Sequence, residues 1–353
     1  MTARETLLVL PASGSLLSPQ DEAALTDLYV RGTPANTVRA YESDLGYITA
    51  WKLLSFSTDL AWPESQDVAL RFLLDHARDL DADPPESAAR LVAEALINRS
   101  LRKTLACPAP STLDRRIASW RAFHRMRNLP SPFESPLLRD ARSKARRAAA
   151  RPRQRKSANP VTRDVLEALL VACGGDLRGL RDRAILCLAW ASGGRRRSEV
   201  SELDLDDLDR SEFEGTGVIR FTMRGSKTTE TGKTPPLLLQ GRAARVIEAW
   251  IIEAQIEEGA LFRPISKAGK VLNRRLSPDG VASILKTRLA QAGFEDGFAT
   301  PHGLRSGFLT QAALDGAPLQ AAMRLSLHRS VPQAMAYYDE VEITDNPATK
   351  LLD

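Results

Sequence analysis

Residues 141–160 divide this chain into two parts. They read ARSKARRAAARPRQRKSANP and contain eight lysine or arginine residues without one aspartate or glutamate. Apolar residues recur at helical spacing on both sides of this run. A chain of 353 residues is long enough for about two domains, each with its own core. The sequence therefore predicts two globular parts joined by a basic linker.

The composition is that of a soluble globular protein. Hydrophobic residues make up 43% and charged residues 26% of the chain, which is ordinary for that class. No segment approaches the roughly 20 apolar residues that span a bilayer, and the N-terminus has no convincing signal-peptide cleavage region. The three widely spaced cysteines match neither a disulfide framework nor a zinc pattern. We therefore expect a cytoplasmic protein with no membrane partner.

The basic run indicates a polyanionic partner. The net charge of the whole chain is only +5, so the clustering is more informative than the total. Such a block is typical of a surface that contacts nucleic acid, and a solvated linker is the alternative that the sequence leaves open. The candidate phosphate contacts in the run are Arg151, Arg153, Arg155 and Lys156.

After an N-terminal tail of residues 1–19, residues 20–140 carry helical patterns. In PSTLDRRIASWRAFHRMRN, Ser111 or Thr112 is the predicted N-cap, and an apolar stripe alternates with arginines. The stripe predicts a buried face, and the arginines predict either a face that enters a DNA groove or a solvated face. The stripe consists of Leu113, Ile117, Trp120 and Phe123, and the candidate DNA contacts are Arg115, Arg116 and Arg121.

Residues 161–353 are patterned mainly as helices with one hairpin. GVIRFTMRG alternates in the manner of a strand, and KTPPLLL is its expected antiparallel partner. The fold class predicted for the chain is therefore mainly α with a small antiparallel β-sheet.

Three consecutive arginines follow the end of a predicted apolar helix in LAWASGGRRRSEV. Arginine carries a fixed charge and a planar fork that suits phosphate oxygens. Glu199 lies three residues after Arg196, one helical turn away on the same face, where it would orient that guanidinium. On spacing alone, such arginines are more often exposed than catalytic.

The segment ATPHGLRSGF begins with a helix-start signature. Thr300 is the expected N-cap, and Pro301 suits the first helical position. His302 and Arg305 then share one face of the first turn, beside the free N–H groups and the positive end of the helix dipole. Basic side chains oppose the dipole there, so stability does not explain them. The pattern indicates an anion-binding site with a titratable group and a fixed cation.

A pair of tyrosines stands near the C-terminal end, in SVPQAMAYYDE. Helical spacing groups Tyr338 with Val331 and Ala334 or Met335 on an apolar stripe, whereas Tyr337 is rotated by about 100° from Tyr338. Periodicity therefore predicts that Tyr338 packs in the core and that Tyr337 faces a cleft.

In this order, the motifs resemble those of the tyrosine site-specific recombinases. GRRRSEV resembles the first arginine box and HGLRSGF the His–any–any–Arg box, and LHRSVPQAMAYY resembles the segment in which the nucleophilic tyrosine follows a histidine, here His328, by nine residues. The helical part before residue 140 is similar to the core-binding domain of the family, in a Cre-like two-domain architecture. Two departures are the segment 80–110, which has the character of an insertion, and Arg195 and Arg197, where apolar residues are usual.

The resemblance implies a catalytic domain over residues 161–353 and a role for each motif residue. Tyr337 would attack the scissile phosphate, and His302 would assist the loss of its proton. Arg196, Arg305 and His328 would bind the non-bridging oxygens. The resemblance implies neither a cofactor nor a metal ion.

The family also requires a lysine on a β-hairpin. The segment MRGSKTTETGKTPP offers Lys227 and Lys233. Lys227 stands at the strand end, where the resemblance places the general acid, and Lys233 is expected across the turn. A solvated hairpin lysine is the alternative for either residue.

The implied partner is double-stranded DNA with paired inverted half-sites, bound by a dimer on one site and by a tetramer in synapsis. Residues 344–353 resemble the short C-terminal helix that links protomers, with Asn346 and Pro347 at its start and Leu351 and Leu352 as docking residues. Two other functions stay open: DNA relaxation like that of a type IB topoisomerase, and DNA binding by a protein whose site is inactive.

Overall fold

The computed structural model describes residues 17–149, 157–223 and 235–342. The chain divides into two units, Met1–Arg153 and Gln154–Asp353, and the division falls inside the basic run of residues 141–160. Within the described ranges, no helix combines the length and the apolar content that a membrane crossing needs.

In its described residues, the N-terminal unit consists of helices and their connections. Its first helix starts at a capping box, in which Ser18 and Asp21 exchange hydrogen bonds between side chain and backbone. The helices are α1 (Pro19–Gly32), α2 (Ala35–Phe56), α3 (Gln66–His76), α4 (Ala88–Asn98), α5 (Pro110–Met126) and α6 (Pro136–Ala148), with a 3₁₀ turn at Pro132–Glu134.

Aromatic residues fill the core of this unit. Trp51, Phe72 and Trp120 are at most 1% exposed, and the ring of Phe72 meets both indole rings edge to face. The segment 80–110, which has the character of an insertion, contains α4, and this helix packs against α2. Leu96 of α4 belongs to the same core cluster, so the segment contributes to the core of the unit.

Helix α5 begins at Pro110 with Ala109 as its N-cap, so the prediction of Ser111 or Thr112 as the cap is wrong. Proline suits the first helical position because its φ is already helical and its missing N–H has no partner there. The predicted apolar stripe is confirmed, since its members are at most 6% exposed: Leu113, Ile117, Trp120 and Phe123.

Helix α6 contains the first part of the basic run. Residues 141–148, which the sequence pattern assigns to the linker, are helical, and Leu138 and Ala145 of this helix belong to the core of the N-terminal unit. Ser135 caps the helix, since its side chain accepts a hydrogen bond from the Leu138 N–H. Residues 150–156, with the four candidate phosphate contacts, lie outside the described residues.

In its described residues, the second unit combines helices with one three-stranded sheet. Its elements are α7 (Arg163–Val171), α8 (Leu177–Ala191), α9 (Arg197–Glu202), a 3₁₀ turn (Leu205–Asp207), β1 (Leu208–Asp209), α10 (Phe213–Thr216), β2 (Val218–Phe221), β3 (Leu237–Gln240), α11 (Gly241–Glu253), α12 (Pro278–Gln291), α13 (Pro301–Leu314), α14 (Leu319–Ser326) and α15 (Val331–Glu342).

The described strands form an antiparallel sheet in the order β1-β2-β3. The predicted pairing of β2 with β3 is confirmed, with Val218 opposite Gln240 and Phe221 opposite Leu237. Ile219 and Phe221 face the core together with Leu237, as alternation in a half-buried strand requires. Strand β1 has only two residues, too few for a periodic pattern, and the sequence did not predict it.

Packing in the second unit brings several helix ends together. Helix α8 packs against α11 and α13, and α13 also packs against α14 and α15. Leu188 of α8 and Ile247 and Trp250 of α11 are fully buried, so α8 is fixed along its length. The end of α8, the start of α13 and the helices α14 and α15 therefore have defined positions, and the predicted motif residues lie on them.

Candidate active site

A turn of two glycines after α8 sets the position of the arginine motif. Gly193 and Gly194 have φ values of 95° and 73°, a left-handed conformation that other residues rarely adopt. A Cβ on Gly194 would lie 2.3 Å from the Cα of Arg305, and one on Gly193 would lie 2.4 Å from the Leu325 carbonyl oxygen. The turn therefore brings the arginine motif into close contact with the backbone of α13 and the end of α14.

Arg196 is the N-cap of the short helix α9, and Glu199 holds it in place. One carboxylate oxygen of Glu199 accepts a hydrogen bond from Nη1 of Arg196 at 2.5 Å, and the other accepts from the Arg196 backbone N–H at 2.8 Å. Glu199 is only 4% exposed, so a rigid carboxylate orients a partly exposed guanidinium. This is the arrangement that the three-residue spacing predicts.

Helix α13 begins as its sequence predicts. The side-chain oxygen of Thr300 accepts a hydrogen bond from the His302 N–H at 3.3 Å, and Pro301 is in the first turn. Arg305, one turn further on, is 4% exposed and donates from Nη1 to the Gly194 carbonyl at 3.1 Å. The glycine turn that precedes Arg196 in the chain thus also holds Arg305 in place.

His328 lies against Arg305, just after the end of α14. Nε of Arg305 is 3.2 Å from Nε2 of His328, Nη2 is 3.1 Å from Nδ1, and Ser326 Oγ is 2.8 Å from Nδ1. A protonated ring carries only donors, so it could not accept from this guanidinium. Burial lowers the pKa of His328 to about 3, with the charge of Arg305 as the next cause. The ring is therefore neutral at neutral pH.

The structure separates the two tyrosines of α15. Tyr338 is 4% exposed and donates from its hydroxyl to the Ala317 carbonyl at 3.0 Å, so the prediction that it packs is confirmed. Tyr337 is half-buried, and its hydroxyl oxygen lies 3.3 Å from Nε2 of His302. Val331 is the first residue of the helix and is 53% exposed, so the prediction that it shares the buried stripe of Tyr338 is wrong.

These side chains surround one cleft, lined by Arg195, Arg196, Arg197, Thr300, Pro301, His302 and Arg305. Burial lowers the pKa of Arg305 to about 10, and the charges of Arg195 and Arg196 add to the shift. This pKa is still well above neutral pH, so the guanidinium stays charged. The cleft is a strongly positive surface that can bind a phosphate, and the hydroxyl of Tyr337 lies beside the histidine in its wall.

Most of the predicted catalytic residues lie at or beside this cleft: Arg196, His302, Arg305, His328 and Tyr337. Lys227 and its alternative Lys233 lie outside the described residues. Within the described part of the chain, His, Cys, Asp and Glu side chains do not form a group of three or more that could hold a metal ion.

The predicted DNA contacts on α5 have partners inside their own unit. Arg115 pairs with the buried carboxylate of Asp44 at 2.6 Å, and the guanidinium of Arg116 lies 3.3 Å from the ring centre of Tyr47. Burial lowers the pKa of Arg116. Arg121 approaches a glutamate of the following 3₁₀ turn at 3.6 Å. These three arginines therefore make contacts inside the helical unit, which the sequence did not predict.

Sequence reasoning missed two residues that support the site. Arg195 is 1% exposed and donates to the Leu325 carbonyl at 2.8 Å. Ser157, placed by sequence in the linker, accepts from the Thr300 N–H at 3.0 Å and holds the start of α13. Their partners lie 130 and 143 residues away in the chain. A local pattern therefore carries no signal for either contact.

Comparison with known proteins agrees with this geometry. Residues 159–342, more than half of the chain, match the model of the phage integrase family. An integrase/recombinase XerD homolog of Selenomonas ruminantium is 28% identical over 324 residues, which cover 90% of this chain and 85% of the relative. The tyrosine recombinase XerC of Pelotomaculum thermopropionicum is 30% identical over 237 residues, or 65% of this chain and 70% of the relative.

Solved structures have the same fold. The Tn1549 transposon integrase in complex with transposon right end DNA matches with a TM-score of 0.55 and 15% identity, over 96% of this chain and 95% of that one. A lambda integrase dimer bound to a COC' core site matches with a TM-score of 0.51 and 15% identity, over 91% and 95%. The chain therefore belongs to the phage integrase family of tyrosine recombinases, enzymes that cleave and rejoin DNA.

Proposed function

We propose that this recombinase exchanges strands between two specific DNA sites through a 3′-phosphotyrosyl intermediate. The hydroxyl oxygen of Tyr337 attacks the scissile phosphorus, an O–P bond forms, and the bond from phosphorus to the 5′-oxygen of the next nucleotide breaks. A 5′-hydroxyl from a second duplex then attacks the adduct and releases Tyr337. Each step replaces one phosphate ester by another, so the reaction needs no ATP.

Two proton transfers accompany cleavage. A tyrosine with the ordinary pKa near 10 is mostly neutral at pH 7, so its proton must leave as the O–P bond forms. We propose that His302 accepts this proton, since its Nε2 lies 3.3 Å from the Tyr337 hydroxyl oxygen. Lys227, assigned from the family resemblance, gives a proton to the departing 5′-oxygen. Rejoining runs both transfers in reverse.

Negative charge accumulates on the phosphate as the tyrosine oxygen adds, and fixed cations stabilise that charge. Arg196 and Arg305 line the cleft and are oriented before substrate arrives, through Glu199 and the Gly194 carbonyl. His328 is neutral and adds no charge to this set; its Nε2 accepts a hydrogen bond from Nε of Arg305 and so helps to orient that guanidinium. Preorganised donors of this kind need no rearrangement during the reaction.

The observation that carries this proposal is the approach of the Tyr337 hydroxyl to His302 on the helix whose Arg305 lines the same cleft. A nucleophile, a base within reach and fixed cations around one phosphate-sized space are what metal-independent phosphoryl transfer requires. DNA binding alone would not need the tyrosine and the histidine to meet.

The proposed substrate is double-stranded DNA in the cytoplasm, with two inverted half-sites per recombination site. Two protomers occupy one site, and four form the synaptic complex. The lambda integrase that shares this fold was solved as a dimer bound to its core site, which supports the dimer. The basic residues of the linker, Arg151, Arg153, Arg155 and Lys156, contact the DNA backbone.

Covalent capture on nicked, randomised duplexes tests the proposal. Cleavage next to the nick releases a short fragment, so the adduct cannot be religated and survives denaturation. Tyr337→Phe is expected to abolish the adduct, and Tyr338→Phe is the matched control because it removes the same atom from the neighbouring ring. Sequencing the captured DNA gives the half-site. Stable DNA binding without any wild-type adduct would refute the proposed chemistry.

Assembly is tested by removing residues 344–353. We expect the truncated protein to bind a single site with unchanged affinity and to lose the tetramer on paired sites, as measured by native electrophoresis or analytical ultracentrifugation. A tetramer of unchanged stability would show that these residues do not link the protomers.

A further inference from the structure

Arg195 is a buried cation that packing does not explain. Its side chain is 1% exposed, and Nη2 donates to the Leu325 carbonyl at 2.8 Å. Nε and Nη1 are also buried and have no hydrogen-bond partner among the described residues. Buried donors without partners destabilise a fold. An apolar side chain, usual at this position of the motif, would fill the space without that cost.

The charge around Arg195 is unbalanced. Arg195, Arg196 and Arg305 all line the cleft, and the carboxylate beside them is that of Glu199. Burial lowers the pKa of Arg195 to about 10 and that of Arg305 to about 10 as well. Both guanidiniums therefore stay protonated at neutral pH. His328 adds no charge because its pKa is about 3. Arg197 also lines the cleft, but it pairs with Asp279 at 2.7 Å, so that pair adds no net charge. The other three guanidiniums against the Glu199 carboxylate leave two positive charges.

The excess positive charge of the site matches the negative charge of the transition state better than that of the substrate. A phosphodiester carries one negative charge. When a deprotonated tyrosine oxygen adds to it, the pentacoordinate species carries two. A site with two excess positive charges favours the second species over the first, whereas the same site without Arg195 would have one excess charge and match the diester. Catalysis requires this difference in binding.

We propose that Arg195 is a positioning residue of the reaction, which ties the Gly193–Gly194 turn to the end of α14 and adds a buried positive charge that favours the pentacoordinate phosphate over the diester. The inference rests on the proposed function, because it assumes that the cleft binds a scissile phosphate. Arg195 acts through its charge and through its hydrogen bond to the Leu325 carbonyl, since its side chain is 1% exposed and Nε and Nη1 are buried. The family motif assigns the phosphate contact to the next residue, Arg196.

The test compares a charged with an uncharged scissile group. Single-turnover adduct formation is measured on the captured half-site, with either a normal phosphodiester or a methylphosphonate at the scissile position. Arg195→Met removes the charge at similar side-chain length, and Arg195→Lys keeps it. Arg242→Met is the control, since Arg242 pairs with Glu167 and lines no part of the cleft.

We expect Arg195→Met to slow adduct formation on the phosphodiester about 100-fold, the effect of losing one preorganised charge-stabilising group. On the methylphosphonate, which has one negative charge less, the same variant is expected to lose less than about tenfold. Arg195→Lys should regain at least about tenfold on the phosphodiester. DNA affinity before cleavage should change less than about twofold, because the diester gains little from Arg195.

Equal losses on both substrates would overturn the inference, because a purely structural role affects both alike. An unchanged rate on the phosphodiester would overturn it as well. Thermal unfolding verifies that each variant is folded; if Arg195→Met is not, Arg195→Gln, which also removes the charge, replaces it in the same comparison of the two substrates. Absence of any wild-type adduct would instead refute the proposed function, so the two failures are distinguishable.

Discussion

The hydroxyl oxygen of Tyr337 lies 3.3 Å from Nε2 of His302, 35 residues earlier in the chain. The two residues are on α15 and α13, which pack against each other. The distance is long for a strong hydrogen bond, but catalytic contacts often tighten only when substrate binds. The contact therefore supports the proposal that His302 is the base for Tyr337.

Replacing this base should produce a defect that depends on pH. We expect His302→Ala to slow adduct formation about 10²- to 10⁴-fold at pH 7, the usual contribution of a general base. The deficit should shrink as the pH rises toward the tyrosine pKa near 10, because solvent then removes the proton. Single-turnover rates between pH 7 and 9.5 measure this. A deficit of constant size across that range would exclude His302 as the proton acceptor.

The glycine turn should tolerate no side chain. Gly194→Ala would place a Cβ 2.3 Å from the Cα of Arg305 at a φ of 73°, so backbone strain and overpacking add together. We expect it to lower the free energy of unfolding by about 2 to 5 kcal/mol and to abolish cleavage, because Arg305 is displaced. Urea denaturation and covalent capture measure the two effects.

Gly217→Ala is the control that separates the backbone strain of an alanine at positive φ from the overpacking expected at Gly194. Gly217 has a φ of 68°, similar to that of Gly194, but a Cβ there meets no atom within 4 Å. This variant should lower the free energy of unfolding by only about 1 to 2 kcal/mol and leave cleavage intact. If both variants behaved alike, the close approach of Gly194 to α13 would not matter for the site.

Local patterns in the sequence predicted the parts of the site that depend on one or two turns of chain. The cap at Thr300, the pairing of β2 with β3 and the burial of Tyr338 follow from neighbouring residues, and the structure contains all three. The linker boundary was less predictable. Leu138 and Ala145 of α6 belong to the core, but charged neighbours hide this short apolar stripe.

Contacts between distant segments were not predictable from local patterns. The burial of Arg195 depends on Leu325, 130 residues further along the chain, and its basic character suggested an exposed residue. Ser157 reaches the start of α13 across 143 residues. In both cases tertiary packing decides the environment of a polar residue whose own propensity gives no indication of it.

Neutralising the linker should change how DNA affinity depends on salt. Each phosphate contact contributes about 0.9 to the slope of log affinity against log salt concentration, so four contacts contribute up to about 3.6. We expect a slope shallower by this amount, measured by fluorescence anisotropy between 50 and 300 mM salt, when glutamine replaces the four basic residues of the linker: Arg151, Arg153, Arg155 and Lys156.

A control with the same change in net charge distinguishes direct contact from overall attraction. Its four glutamine substitutions fall on side chains that are at least half exposed and paired with acids: Arg31, Arg163, Arg242 and Lys286. The control should keep nearly the wild-type slope. An equal decrease in both variants would mean that total charge, and not the linker, sets the salt dependence.

The N-terminal unit should lose stability in mild acid because of His76. The ring is 1% exposed, with Nδ1 2.6 Å from the Phe72 carbonyl oxygen and Nε2 2.6 Å from the Tyr47 hydroxyl. Burial lowers the pKa of His76 to about 3, below the unfolded value near 6.5. Between these values the unfolded state binds a proton that the folded state does not, so stability falls as the pH drops below 6.5.

Denaturation of the full chain in urea between pH 6.5 and 5.0 measures this effect, since most carboxylates stay ionised over that window. The expected slope is about 1.4 kcal/mol per pH unit for the proton of His76, and His124 of the same unit, whose pKa burial also lowers, adds to it in the same direction. His76→Asn should be less stable at pH 7, because it leaves a buried hydrogen-bonding group without its partner, and its stability should vary less with pH.

His328→Asn is the matched control, since the pKa of His328 is also about 3 but this residue belongs to the second unit. This control variant should leave the pH dependence of the unfolding free energy of the N-terminal unit unchanged. If that free energy varied with pH equally in wild type and in His76→Asn, His76 would not be the cause of the acid sensitivity.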